Sequence, residues 1–249
     1  MAVELVNAGV TVIATGGAEL PVFAAKAAAA KAEIPVVFVM GGDPVALGIV
    51  QSMARPAGAT TGISMLTSVL ENKRFGLLHE IVPAATAIAA LIDPSRALAP
   101  TQTAELQDAA LHAGVHLIVL NSHAGVDVES AFATAVSQGA GAVQLAASPN
   151  FLAKREQIVA LAAQHRIPAI YEWRDFTDAG GLMSYGTDLA DAYRQEGGYV
   201  AKVLNGVKPA DLPVMQVTKF EFVINLKTAK TLGFEFAPTV LARADAVVE

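Results

Sequence analysis

A carboxylate and an indole stand side by side at Glu172-Trp173, just after the apolar run Ala169-Ile170-Tyr171, and a phenol follows at Tyr185 after Leu182-Met183-Ser184. A carboxylate at a strand end can pair with the ammonium of an amino acid-like solute, and aromatic rings beside it can sandwich a flat or apolar moiety. Ordinary alternatives exist for each residue. Glu172 can form a salt bridge with Arg174 or Arg155, and the aromatics can belong to a core or a rim. Other apolar runs end in a similar way. Thr15-Gly16-Gly17-Ala18 can present backbone N–H groups and a hydroxyl to an anion, or can simply be a tight strand-to-helix turn that needs glycine. Thr61 and Ser64 can donate to a carboxylate or close a turn. Asp93 and Ser148 can offer polar groups or cap the helices that follow them, and Phe151 can stack on a flat ligand. Asp43, before Pro44, reads as a helix cap.

These side chains need a scaffold that gathers strand ends. Strand-like runs near 10–14, 35–39, 60–65, 87–92, 115–120, 142–146, 168–172 and 182–185 alternate with helical patterns over 18–32, 45–54, 68–81, 101–113, 127–138, 150–165 and 188–204. That alternation predicts βαβ units and parallel sheets, a doubly wound α/β fold, in which ligands bind outside the carboxyl ends of strands. Eight strands make a large single sheet, so two lobes are expected: 1–65 in the first, 66–214 mainly in the second, and 215–249 returning to the first. Within that tail, 219–225 alternates like an edge or return strand, 226–232 reads as a short helix and 238–248 as a terminal helix.

Composition narrows the function. The chain has 249 residues, of which 53% are hydrophobic, enough for a sizeable core. With 16% charged residues and a net charge of −6 there is no basic stripe for a phosphate backbone, so nucleic acid is a poor partner. No run of about 18 apolar residues can span a bilayer, as expected of a soluble protein. Cysteine is absent, which excludes thiolate metal sites and nucleophiles. Gly114 separates His112 from His116, and no carboxylate cluster completes a metal site around them. The glycine loop at 15–18 lacks both the dinucleotide spacing and the P-loop lysine, and no G-x-S-x-G signature appears. Binding without covalent chemistry, cofactor or metal is the reading these absences leave.

In order along the chain, Ala14-Thr15-Gly16, Pro35-Val36-Val37-Phe38, Gly42-Asp43-Pro44-Val45, Arg55-Pro56-Ala57-Gly58, Thr61-Gly62-Ile63-Ser64, Lys73-Arg74 with Leu77-Leu78, and Pro168-Ala169-Ile170-Tyr171 form a distinctive series. Gly180-Gly181-Leu182-Met183-Ser184-Tyr185-Gly186, Lys208-Pro209-Ala210-Asp211-Leu212-Pro213 and the stretch from Phe222 to Lys230 complete it. The series resembles the ABC-transporter substrate-binding proteins of the tryptophan/tyrosine type. The resemblance implies a type I periplasmic-binding-protein architecture of two flavodoxin-like lobes that close on a small solute by a hinge. It also implies delivery to an ABC permease, a periplasmic or extracytoplasmic location, and amino acids or small aromatic carboxylates as solutes. The same architecture serves ligand-sensing receptor and regulatory modules, the alternative reading. The candidate contact residues at the strand ends are Thr15, Gly16, Thr61, Ser64, Asp93, Ser148, Phe151, Glu172, Trp173 and Tyr185. Met1 to Gly9 has no signal-peptide pattern and reads as the end of an amphipathic helix. Relative to the family pattern, an export signal and a first βαβ portion of lobe one are expected to be missing, with the gap filled either by a shift of the lobe's own strands or by self-association, a homodimer through the shortened first lobe being the favoured form.

Overall fold

The computed structural model describes residues 1–65, 67–123 and 127–249. The chain forms two compact units, each built from two separated segments.

The first segment of unit 1 carries α1 (Ala2–Asn7), β1 (Ile13–Gly16), α2 (Glu19–Ala29), β2 (Val36–Met40) and β3 (Thr60–Ser64). The chain then passes into unit 2 with a 3-10 turn over Thr67–Leu70, followed by α3 (Glu71–Ile81), β4 (Ala87–Ile92), α4 (Ala99–Ala113) and β5 (His116–Asn121). Next come α5 (Val128–Ser137), β6 (Ala142–Leu145), α6 (Pro149–Ala153), α7 (Arg155–Gln164), β7 (Ala169–Tyr171), α8 (Arg174–Asp178) and β8 (Met183–Thr187). Unit 1 resumes with α9 (Leu189–Leu204) and β9 (Met215–Gln216). Unit 2 ends the chain with β10 (Phe220–Asn225), α10 (Leu226–Leu232), α11 (Pro238–Leu241) and β11 (Ala246–Val248).

Unit 1 holds a sheet in the order β1-β2-β3-β9, parallel throughout. Its centre, β2, is Val-Val-Phe-Val-Met with every residue buried, the unbroken apolar run a parallel strand needs when both its faces are covered. Val37 and Val39 pack with Ile63 of β3 and with Ala192, Tyr199 and Val203 of α9, while Phe38 and Met40 pack with Val22 of α2.

The sheet of unit 2 runs β11-β10-β8-β7-β6-β4-β5. Its five parallel strands read β5-β4-β6-β7-β8, which in order of appearance is 2-1-3-4-5, the flavodoxin-like order. The switch point therefore lies between β4 and β6, and the carboxyl ends of these strands lead to Asp93 and Ser148. β10 joins antiparallel to β8 and β11 parallel to β10. Phe75 and Leu78 of α3 and Leu106 and Ala110 of α4 pack on Ile88, Ala90 and Ile170 in one large core.

The partition differs from the expected one. Segment 189–219 belongs to unit 1 and 220–249 to unit 2, whereas 66–214 was expected mainly in the second lobe and 215–249 in the first. The reason is packing: the buried stripe Ala192, Tyr199 and Val203 of α9 closes on β2 and β3, and Phe222 and Ile224 of β10 enter the core of unit 2.

Three helix expectations are also corrected. Over 45–54 there is only a turn, in which Asp43 Oδ1 accepts from the N–H groups of Val45 and Ala46. Gly48 then takes a left-handed φ of 66° and the chain turns to bury Ile49 and Val50. The pattern over 150–165 is split at Lys154 into α6 and α7, and no residue type there marks the break. The terminal helix is one short turn, α11. Beyond it, Asp245 exchanges two hydrogen bonds with the backbone of Phe222, which locks the β-branched pair Val247-Val248 beside β10 as a strand. The segment over 219–225 is paired on both sides in the sheet, not an edge. No helix among the described residues is long and apolar enough to cross a membrane.

Candidate functional site

In unit 2 the polar chemistry collects where the parallel strands end. Glu172 follows β7 directly and is 2% exposed, yet neither carboxylate oxygen has a hydrogen-bond partner. The alternative salt bridges are not formed: Arg174 pairs with Asp178 at 3.2 Å and Glu221 at 2.9 Å, and Arg155 lies 3.9 Å from Glu156. Burial pushes the Glu172 carboxyl up to about 8, with Arg74 and Arg96 pulling down and Glu71 pushing up. The next residue, Trp173, is also buried, and its indole Nε1–H has no acceptor. One strand end thus holds two unused acceptors and one unused donor. Leaving such groups buried and unpaired costs on the order of 1–3 kcal/mol each, more where a charge is involved.

Beneath Glu172 lies a pair that sequence reasoning missed. Glu71 and Arg74 of α3 are fully buried and joined at 2.8 Å. The Glu71 carboxylate also accepts from the side chains of Gln102 at 3.0 Å and Gln144 at 2.7 Å. Arg74 donates to the carbonyls of Tyr185 at 3.2 Å and Thr67 at 3.4 Å. This guanidinium is engaged by other groups, so it does not neutralise Glu172 by contact. Spacing of three residues on a helix is what a surface ion pair also shows, so the sequence carried no sign of burial.

At the switch point Asp93 and Ser148 come together. Asp93 Oδ2 accepts from Ser148 Oγ at 2.7 Å and Asn150 Nδ2 at 2.8 Å, and Oδ1 accepts from the Ser95 backbone at 3.1 Å. Ser148 caps α6 by accepting from Asn150 N. The pair fastens two strand ends; Ser148 takes the capping role, whereas Asp93 closes a turn and the helix that follows it starts only at Ala99, behind Leu98. Phe151 is 1% exposed, in the interior of its unit. Tyr185 is half-buried and meets Phe220 at 6.4 Å and, edge to face, Phe222 at 6.3 Å between ring centroids. Those two phenylalanines were also missed; the antiparallel register that sets Phe222 opposite Tyr185 is a long-range pairing no local pattern reveals.

In unit 1 the hydroxyls of Thr61 and Ser64 are buried and donate to the carbonyls of Leu212 at 2.7 Å and Gly42 at 3.2 Å. Their protons are committed, so donation to a solute carboxylate is not what the ligand-free unit offers; Thr61, moreover, is the second residue of β3 and lies toward its amino end, not at the strand end where it was expected. Thr15 at the end of β1 keeps a buried hydroxyl without partner. Gly16 is covered by the Tyr193 ring: a Cβ there would stand 2.7 Å from Tyr193 Cε1. Glu196, one turn further along α9, faces the Thr15 backbone N–H, and burial raises its carboxyl to about 7. Neither Tyr193 nor Glu196 stood out in the sequence, where α9 reads as an ordinary amphipathic helix.

Cavity size alone points elsewhere. In unit 1 a cavity of about 630 Å³ opens at the amino-terminal ends of β2 and β3, beside Val36 and Thr60, and in unit 2 one of about 500 Å³ opens at the start of β7, beside Ala169. Both lie at the opposite strand ends from Thr15, Ser64 and Glu172. In open α/β sheets the carboxyl ends are the binding ends, so the strand-end chemistry outweighs cavity volume. Among the described residues no group of three or more His, Cys, Asp or Glu side chains is placed to hold a metal ion.

Two α/β units with parallel-dominated sheets are the architecture of type I periplasmic binding proteins. The chain belongs to the family of ABC transporter substrate-binding proteins, whose model matches residues 1–248. It is 26% identical over 206 residues to a tyrosine-binding protein of Clostridioides difficile, covering 82% of this chain and 58% of that protein. It thus spans less than two thirds of the length of this relative. Its fold matches a conserved domain protein of Vibrio cholerae with a TM-score of 0.85 and 25% identity, over 99% of this chain and 81% of that one. It likewise matches an ABC domain from Streptococcus pneumoniae solved in complex with L-Trp, with a TM-score of 0.85 and 24% identity, over 100% of this chain and 82% of that one.

Proposed function

We propose that this protein captures a small amino acid-like or aromatic carboxylate solute and hands it to an ABC permease on the extracytoplasmic side of a membrane. The observation that carries the reading is the end of β7, where Glu172 keeps two buried oxygens and Trp173 a buried N–H without partners. An amino acid supplies the complementary set, since its ammonium donates and its carboxylate accepts. Tyr185 with Phe220 and Phe222 offers an aromatic wall for an apolar side chain. Within unit 1, Thr15 keeps an open hydroxyl, whereas Thr61 and Ser64 are bonded to carbonyls of their own unit and Gly16 lies under the Tyr193 ring. Asp93 and Ser148 hold the β4 and β6 ends together, Phe151 is buried within its unit, and any solute contact they make is through groups not already bonded. The tyrosine-binding relative and the L-Trp complex support aromatic amino acids as first candidates.

A thermal-shift screen over the twenty L-amino acids and a set of aromatic acids tests this, because a ligand that binds the native state alone raises apparent stability by mass action. An upward shift with an aromatic or branched amino acid is expected. No shift with any member of the panel at millimolar concentration sinks the reading.

A further inference from the structure

We infer that solute binding at Glu172 exchanges a proton for a primary ammonium group, so the site takes amine-bearing solutes and turns away acids that lack the amine. The inference rests on the amino acid-binding function proposed above and narrows its substrate class.

The geometry comes first. Glu172 is enclosed with both oxygens unbonded, and its backbone and Cγ crowd Gly186: a Cβ at 186 would stand 2.1 Å from the Glu172 carbonyl oxygen and 3.0 Å from Cγ. Only glycine at 186 leaves the β7 and β8 ends this close. The charged groups that act on Glu172 are Arg74 and Glu71 of α3 and Arg96 beyond β4. Of these, Arg74 is bonded to Glu71 and to two backbone carbonyls. None makes a hydrogen bond to the Glu172 carboxylate.

An empty, ionised Glu172 in this place has lost its water and gained no donor, and burial outweighs the two arginines, so the carboxyl titrates at about 8. Near neutrality it therefore rests as the acid. An arriving R–NH₃⁺ changes the balance. Its N–H groups bond the two oxygens, its charge replaces that of the carboxyl proton, and the carboxyl O–H proton leaves for solvent, so charge and atoms balance with no other reactant. A solute with a carboxylate and no amine supplies neither donor nor positive charge, and it repels Glu172 once that group ionises. The partnerless Trp173 Nε1–H is left to take the solute's acceptor end.

A group that titrates at about 8 is roughly nine-tenths protonated at pH 7, so close to one proton is released per solute bound. Observed affinity rises about tenfold per pH unit from pH 6 toward 8, then levels.

The test is titration calorimetry at pH 7 with L-tryptophan, L-tyrosine and L-leucine, and with 3-indolepropionate and 3-(4-hydroxyphenyl)propionate, each in phosphate and in Tris. For an amino acid that binds, the heats should differ between buffers by close to the difference between the two buffers' ionisation enthalpies, and its deaminated counterpart should bind at least tenfold more weakly. Glu172→Gln, verified as folded by its melting curve, should lose the buffer dependence; the wild-type comparison stands even if this variant fails to fold. Equal heats in both buffers overturn the proton exchange and leave amino acid binding intact. A deaminated acid that binds as tightly as its amino acid overturns the amine selection and leaves solute binding intact. Failure of the whole panel to bind removes the functional proposal itself, and this inference with it.

Discussion

In unit 1, Ser64 at the carboxyl end of β3 gives its hydroxyl proton to the Gly42 carbonyl and Thr61, near the start of the same strand, gives its own to Leu212, so both are satisfied without a solute. In unit 2, the end of β7 presents Glu172 and Trp173 buried and unsatisfied. Unit 1 keeps smaller liabilities in the Thr15 hydroxyl and in one oxygen of Glu196. Residues of similar polarity in the two units therefore divide into fasteners and open valences. Residue type alone does not distinguish the two roles; the hydrogen-bond account does.

The sharpest way to break this contrast is to attack the buried pair beneath the open carboxylate. Arg74→Met should leave Glu71 buried beside two glutamines with no counter-charge and cost about 3–5 kcal/mol, read from urea unfolding. A cost under about 1 kcal/mol would mean that Arg74 is not a fastener and is free to serve the solute.

Next in size is the cost carried by Glu172 itself. Its ordinary value of 4.5 is raised to about 8 in the folded protein. The folded state therefore holds more protons than the unfolded one between those values. The stabilising contribution is complete below about pH 4.5 and is lost as pH rises through about 8. Glu172→Gln removes that loss and should make the ligand-free protein more stable than wild type at pH 8.5, by on the order of 2–4 kcal/mol. Parallel pH-stability curves for the two proteins would refute this burial argument.

The same substitution should weaken amino acid binding by about 1.5–3 kcal/mol near pH 8, roughly ten- to a hundredfold in Kd, measured by calorimetry. Thr61→Val is the control from the satisfied unit. It should cost about 1–2 kcal/mol of stability, since the Leu212 carbonyl loses its donor, while changing affinity by less than threefold. A large affinity loss there would move Thr61 from the fasteners to the contacts. The smallest expected effect is optical: emission from Trp173, the single tryptophan, should shift when an amino acid binds. An unchanged spectrum with a solute proven to bind would remove Trp173 from the site.

Much of the scaffold was legible because its signals are local. The runs Val36–Met40 and Ala87–Ile92 are fully buried strands, as continuous apolar stretches in parallel sheets must be. The turn at 43–50 misled because Asp43-Pro44 opens a helix and a collapse onto Ile49 and Val50 equally well, and burial decided between them. The terminal strand was hidden for a similar reason, since the pins on Asp245 come from Phe222, far away in the chain. Glu172 and Trp173 were conspicuous as the polar end of an apolar strand. Their neighbours were not: Glu71, Arg74, Gln102 and Gln144 look like surface residues until tertiary packing closes over them.

Neither unit is continuous in the chain, and that arrangement sets an order of events during synthesis. Unit 1 has its first three strands by residue 66, but the helix that covers them and the strand that completes their sheet lie in 189–219. For well over a hundred residues of elongation, Val37, Val39 and Ile63 await Ala192, Tyr199 and Val203. Meanwhile the five parallel strands of unit 2 emerge as one block by residue 188. The nascent chain thus carries an uncovered apolar sheet face until 189–219 arrives, the kind of surface a holding chaperone covers and a point at which slowed elongation prolongs exposure.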